Sequence, residues 1–308
     1  MNINRRTFLK QMGALAAMFA GNPLGAAEQM SAITKRERQL TILHTNDVHS
    51  HIEPFPLTDP KYAGLGGFAR RKAYVDKVRA EGNDVLVLDC GDIFQGTPYF
   101  NMYGGKLEID LMNKIGVDAA TIGNHEFDNG VDALCDRMEE ADFPFVNANY
   151  TFENERAKHL VQPYTIFERC GRKIGVFGLG IKIEGLINMR KAAGTQYSDP
   201  FEVSNRIADD LRQQGCSLII ALSHLGYVMH GQPDDVAVAA NSHNIDLILG
   251  GHTHTFLPEP VAVANADGRK VWINQVGFAG INVGRIDVVF NDLTDEAAIK
   301  TSHAIIMA

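Results

Sequence analysis

"AATIGNHEFDNG", residues 119–130, opens as a short apolar strand and ends with Asn124, His125, Glu126 and Asp128 inside five positions. Buried amides, imidazoles and carboxylates are costly unless each finds a partner, so such a cluster at the end of a buried strand asks what it is waiting for. The arrangement recurs. The apolar runs "LTILH" (40–44), "DVLVLD" (84–89), "SLIIALS" (217–223) and "DLILGG" (246–251) are followed in turn by Asp47, His49 and His51; by Gly91 and Asp92; by His224; and by His252 and His254. Four more runs, "FPFVNA" (143–148), "KIGVFGLG" (173–180), "KVWINQVG" (270–277) and "GRIDVVF" (284–290), carry the same β-rich, near-continuous apolar character. That character predicts strands buried on both faces.

Helical spacing lies between these runs at 67–79, 106–115, 132–141, 201–214 and 234–241, which predicts an α/β layered protein. The stretch 186–200 reads as a surface loop. With no internal repeat, low-complexity tract or long linker, the chain is expected to hold one domain over residues 38–308.

In open α/β sheets ligands bind beyond the C-terminal ends of the strands. Five loops separated by more than 200 positions are therefore expected to converge there. Carboxylate, imidazole and amide together form a metal-ligand set that suits zinc, iron or manganese better than magnesium or calcium, and the lack of a thiolate disfavours a structural zinc site. Two aspartates, four histidines and an asparagine exceed one ion. Two cations about 3.5–4 Å apart, sharing a bridging carboxylate, use them all.

Composition bounds the rest. The chain has 308 residues, 45% hydrophobic and 21% charged, as soluble globular proteins do. Residues 1–27 read as a twin-arginine export signal: Arg5 and Arg6, then an apolar stretch from Gly13 to Gly21, then small residues ending at Ala26 and Ala27. The apolar stretch is short of the ~20 residues of a spanning helix, and no lipidation cysteine follows it, so no stable membrane anchor and a periplasmic location are expected. Cleavage after Ala27 removes three basic and no acidic side chains, taking the net charge from −8 to −11. That charge argues against a nucleic-acid partner. Cys90, Cys135, Cys170 and Cys216 are scattered, which leaves disulfides or single buried thiols open.

"ILHTNDVHSH" (42–51), "GGFAR" (66–70), "LDCGDIFQGTPYF" (88–100), "GNHEFDNG" (123–130), "SHLG" (223–226) and "GGHTH" (250–254) follow the order and spacing of the calcineurin-like metallophosphatases. More narrowly, the chain resembles the catalytic domain of bacterial 5′-nucleotidases and UDP-sugar hydrolases over nearly all of residues 40–290. The resemblance implies a four-layer α/β/β/α sandwich. It implies that Asp47, His49 and His254 bind one metal, that Asn124, His224 and His252 bind a second, and that Asp92 bridges them. Many nucleotidases carry glutamine where His254 stands. It further implies that His125 faces the substrate, oriented by Asp128, and that a metal-bound hydroxide attacks the phosphorus of a small phosphate ester, a nucleotide above all. Two divalent ions, manganese, zinc or iron, are the expected cofactors.

Nucleotidases of this type carry a C-terminal domain that stacks the base and holds the substrate, whereas this sequence stops at Ala308. Such a domain is therefore expected to be absent, and nucleotide specificity does not transfer. The chain is expected to act broadly on phosphate esters, or to work with a separate chain carrying that domain, or to hydrolyse a sulfur ester as the related thiohydrolases do. His44 and His51 are assigned supporting or structural roles, Glu126 a hydrogen bond behind the ligands, and Cys90 a place in the core. Phe94, Tyr99 and Phe100 either line the pocket or pack.

Overall fold

The computed structural model describes residues 39–290 and 297–308. The layering is set by alternation along β1 (Gln39–Thr45). Leu40 and Ile42 point into one apolar layer and Leu43 into another, as a period of two requires. β1 pairs in parallel with β2 (Asp84–Asp89), and the parallel run continues through β3 (Ala119–Thr121), β4 (Phe145–Val146) and β6 (Val161–Gln162). On its other side β14 (Asn282–Phe290) and β15 (Ala297–Ile306) run antiparallel. These seven strands form the first sheet.

The second sheet has a parallel core of β8 (Arg172–Gly180), β10 (Cys216–His224), β11 (Leu247–Leu249) and β13 (Lys270–Asn274). Antiparallel edges are added by β7 (Tyr164–Arg169) and β12 (Val261–Ala264). A small antiparallel pair joins β5 (Tyr150–Phe152) to β9 (Thr195–Tyr197).

Between the two sheets lies a layer built from both, including Leu40, Ile42, Leu86, Leu88, Val176, Leu218, Ile220 and Leu249. Each such side chain contributes about 1.5–3 kcal/mol when fully buried. The outer face of the first sheet is covered by α1 (Phe68–Arg79), α3 (Lys106–Ile115) and α4 (Val131–Glu140), through Val75, Ile109, Met112 and Leu134 packed on Leu43 and Phe145. Two short helices, α2 (Pro98–Tyr103) and α5 (Glu155–Leu160), add Phe100 and Ala157 to the same apolar layer. The outer face of the second sheet is covered by α6 (Pro200–Gln213) and α7 (Asp235–Ala240), through Val203, Ile207, Leu211 and Val238 packed on Phe177 and Ile248. The result is the four-layer α/β/β/α arrangement.

Local chemistry sets the boundaries. α6 starts where Pro200 fixes the first turn and the Asp199 carboxylate accepts the Phe201 N–H at 2.8 Å. α5 starts where Asn154 accepts from the N–H groups of Arg156 and Ala157. The stretch read as a loop, 186–200, contains β9 and delivers the first residue of α6, because Thr195–Tyr197 finds its partner strand 45 positions upstream in β5. β3 and β4 are shorter than the apolar runs that announce them, since the chain leaves the ladder early to form loops. All four cysteines are buried and form no disulfide with one another. No helix among the described residues is long and apolar enough to cross a membrane.

Candidate metal centre

The loops after β1, β2, β3, β10 and β11 meet at one edge of the two sheets. The loop after β1 is tied by its backbone to the loop after β2: Asp47 N–H donates to Gly91 O at 2.9 Å, His49 N–H to Asp92 O at 3.0 Å and Ser50 N–H to Ile93 O at 2.9 Å. The His252 N–H, after β11, donates to both carboxylate oxygens of Asp47 at 3.0 Å. The His125 N–H, after β3, donates to Asp92 Oδ1 at 2.8 Å.

The side chains converge accordingly. Ligand atoms of Asp47, His49 and His254 lie within 4.8 Å of one another, as do those of Asp92, His224 and His252, and those of His49, Asp92 and His125. His254 Nε2 is 3.3 Å from Asp47 Oδ1, and His49 Nε2 is 3.9 Å from both Asp47 Oδ1 and Asp92 Oδ2. His224 Nε2 is 3.0 Å from Asp92 Oδ2. Asn124 Oδ1 sits 3.0 Å from His252 Nδ1. His125 Nδ1 pairs with Asp128 Oδ2 at 2.8 Å, and this pair and His254 form the solvent-facing side, with 29%, 26% and 40% of their side chains exposed.

Tautomers show what the site can hold. His224 Nδ1 is 2.7 Å from the Cys90 carbonyl oxygen, which can only accept, so that nitrogen carries the proton. His224 Nε2 is buried and faces carboxylate oxygens, Asp92 Oδ2 at 3.0 Å and Asp47 Oδ1 at 3.9 Å. Burial opposes its charge, but Asp92 outweighs burial and raises the imidazole to about 10, so Nε2 holds a second proton whose place a cation would take. His49 also sets Nδ1 against a carbonyl, Phe94 O at 3.3 Å, while its Nε2 shares a hydrogen bond with His254 Nε2 at 2.9 Å. Imidazole nitrogens turned toward buried carboxylates, with their other ring nitrogens against carbonyl oxygens, fit a divalent cation in place of the protons.

Backbone strain points the same way. Asp47, His49, Asp92, His252 and His254 all have φ between 49° and 71°, which is uncommon without glycine. Residues held in such conformations cluster at functional sites because the surroundings over-determine them. Close approach also excludes a Cβ at two neighbours. At Gly123 it would land on Asp92 Oδ1, and at Gly251 it would sit 2.8 Å from His224 Nδ1.

The charges are strongly coupled. Burial opposes ionisation of Asp92, but His224, His49 and His125 outweigh it and hold the carboxyl below its usual range. Burial and the nearby His224 bring His252 down to about 4. Burial pulls the His125 imidazole down, yet the Asp128 hydrogen bond and the Asp92 charge win and raise it.

Several supporting residues had no signal in the sequence. Asn46 donates to Asp47 Oδ2 and to the Gly277 carbonyl at 2.6 Å each. Gln275 holds the "GGHTH" turn by donating to Gly251 O at 2.7 Å and accepting from Thr253 Oγ1 at 3.0 Å. Phe278 stacks on His254, with ring centroids 5.1 Å apart. Apart from Asn46 on its neighbour Asp47, these contacts span 22 to 231 positions, beyond the reach of spacing rules. Of the flanking residues, His44 is fully buried and brought down to about 3 by burial, Cys90 is core, and Phe94 and Phe100 stack on each other inside.

Residues 40–256 match the calcineurin-like phosphoesterase family. The chain is 35% identical to the snake venom 5′-nucleotidase of Naja atra over 274 residues, covering 82% of this chain and 51% of that protein. It is 35% identical to the 5′-nucleotidase of Vibrio cholerae over 263 residues, covering 81% and 45%. The crystal structure of a 5′-nucleotidase precursor from Thermus thermophilus superposes with a TM-score of 0.80 at 34% identity, covering 87% of this chain and 54% of that one. The chain thus spans about half the length of the curated relatives it matches. It belongs to the calcineurin-like phosphoesterase family, whose members are metal-dependent hydrolases.

Proposed function

We propose that this calcineurin-like phosphoesterase is an exported enzyme that holds two divalent cations and hydrolyses nucleotides or related small phosphate esters. The observation that carries the reading is His224 Nε2, a buried ring nitrogen locked toward two carboxylates at a point where five strand ends meet. In this reading Asp47, His49 and His254 hold one cation, Asn124, His224 and His252 the other, and Asp92 lies between them. When bound, such cations act as Lewis acids that make a water acidic near neutral pH and offset charge on the phosphoryl oxygens.

The chain's own residues supply the rest. His252 and His125 fix the two aspartates through their backbone N–H groups, so carboxylate orientation is set before any ligand arrives. His125 presents an imidazole on the open side, and its raised pKa keeps it able to donate a proton or hydrogen bond to the transferring group. Asp128 holds the ring in that orientation. The nucleotide assignment leans on what the Naja atra, Vibrio cholerae and Thermus proteins are called, and export leans on Arg5, Arg6 and the apolar stretch after them.

The test is phosphate release from AMP, UDP-glucose and an aryl phosphate by protein starting at residue 28, reconstituted with manganese or zinc. Metal-dependent release is expected, falling about 10²–10⁴-fold in His125→Ala. Release from aryl phosphate with little from AMP would move nucleotide selection to a separate chain. Release from none of the esters, with metal bound, would refute the reading.

A further inference from the structure

Glu126 is fully buried beside the centre, yet its carboxylate takes no part in any of the three ligand groups. It faces backbone instead. Oε2 accepts from the N–H groups of Asp92 at 2.9 Å and Gly123 at 2.6 Å, and Oε1 from Ile93 at 2.8 Å and Phe94 at 3.4 Å. The donors come from two different loops. Three follow β2 and surround Asp92, and one follows β3 next to Asn124.

We infer that Glu126 is a positioning residue of the metal centre, clamping the loop after β2 to the loop after β3 and so setting where Asp92 stands relative to Asn124. The inference rests on the dinuclear reading above and adds a residue to it. Asp92 has φ of 51°, a conformation that persists only where neighbours hold it. Glu126 grips the N–H of Asp92 and of the two residues after it, while the His125 N–H grips the Asp92 side chain. The length and chemistry of the side chain are both needed. Aspartate is one methylene too short to span the two loops, and glutamine turns an NH₂ toward backbone donors that need an acceptor. Groups behind metal ligands typically change metal affinity or activity 10–100-fold when replaced.

The test compares the full chain with Glu126→Gln, Glu126→Asp and Asp287→Asn. Asp287 is a buried carboxylate on β14 that accepts from Thr41 and Thr301, away from the centre, and serves as the stability control. Manganese affinity, the melting temperature without manganese, and kcat and KM for an aryl phosphate at saturating manganese are measured for each. Glu126→Gln is expected to raise the manganese Kd about 10–100-fold and to lower kcat with KM within about threefold. Asp287→Asn should lose melting temperature alone. Glu126→Asp, which keeps the charge, should shift affinity in the same direction and stands in if the glutamine variant does not fold. Glu126 variants that lose melting temperature but keep parental manganese affinity and kcat would overturn the inference. A parent chain that binds no manganese would overturn the dinuclear reading and the inference with it.

Discussion

The two ends of the sheets carry the same classes of side chain and use them differently. At the N-terminal ends, Asp246 before β11 pairs with Arg212 at 2.8 Å, and Asp118 before β3 pairs with Arg169 at 3.1 Å. At the C-terminal ends, the still more buried Asp47 and Asp92 face imidazoles: His254 at 3.3 Å, His224 at 3.0 Å and His49 at 3.9 Å. A guanidinium is always charged, so an Arg–Asp pair is complete in itself. An imidazole whose other nitrogen donates to a carbonyl can exchange its second proton for a metal ion, so carboxylate and imidazole together suit a cation. The partner type, more than the presence of buried acid, separates an ion pair that holds the fold from a centre that binds metal.

The sharpest way to break that contrast is to neutralise one carboxylate at each end. Asp92→Asn should lower phosphoester turnover at least about 10³-fold, a loss of about 4 kcal/mol in transition-state stabilisation. Asp246→Asn should leave turnover within about twofold. Its ion pair is about a third exposed, so the loss should be about 1 kcal/mol and the fall in Tm about 2–4 °C. Equal effects on turnover would end the distinction. Metal removal comes next. Dialysis against a chelator should abolish turnover, and manganese should restore it while raising the melting temperature. At a hundredfold excess over Kd the added stability is about 2.7 kcal/mol.

Asp128→Asn probes the orienting partner of His125 at 2.8 Å and should lower kcat about 10–100-fold with KM little changed. A change in KM alone would mean that Asp128 shapes the pocket without orienting the ring. The last prediction concerns a third environment for histidine. His44, buried on β1, faces no carboxylate, and its pKa falls to about 3. The unfolded chain binds a proton there below about 6.5, which the fold excludes down to about 3. Stability therefore drops as pH falls through that window, by up to a few kcal/mol. Urea unfolding of His44→Gln at pH 7 and pH 5 should show a shallower pH dependence than the parent; an unchanged slope would contradict the burial argument.

The layering and the edge that carries the site were legible because both follow short-range rules. Leu40, Ile42, Leu86 and Leu88 lie in continuous apolar runs, Asp47, Asp92, Asn124 and His252 stand a few positions past the strand ends, and His224 is the last residue of β10. The pairing of β5 with β9 was hidden inside an apparent loop, because neither three-residue strand has a period of its own. The clamp by Glu126 on residues 92–94 was reachable only as a generic hydrogen bond. Asn46 on Gly277 and Gln275 on Gly251 gave no sign, since such contacts exist only once distant segments have packed. The left-handed backbone at five of the site residues was equally silent, being imposed by tertiary contacts and not by local preference.

The most direct test of the central claim is a manganese titration of the metal-stripped chain, following bound ion per chain and aryl phosphate turnover together. Two equivalents bound, with turnover reaching its plateau only at the second, is the expected result. Saturation at one equivalent with full turnover, or two equivalents bound with none, would contradict it.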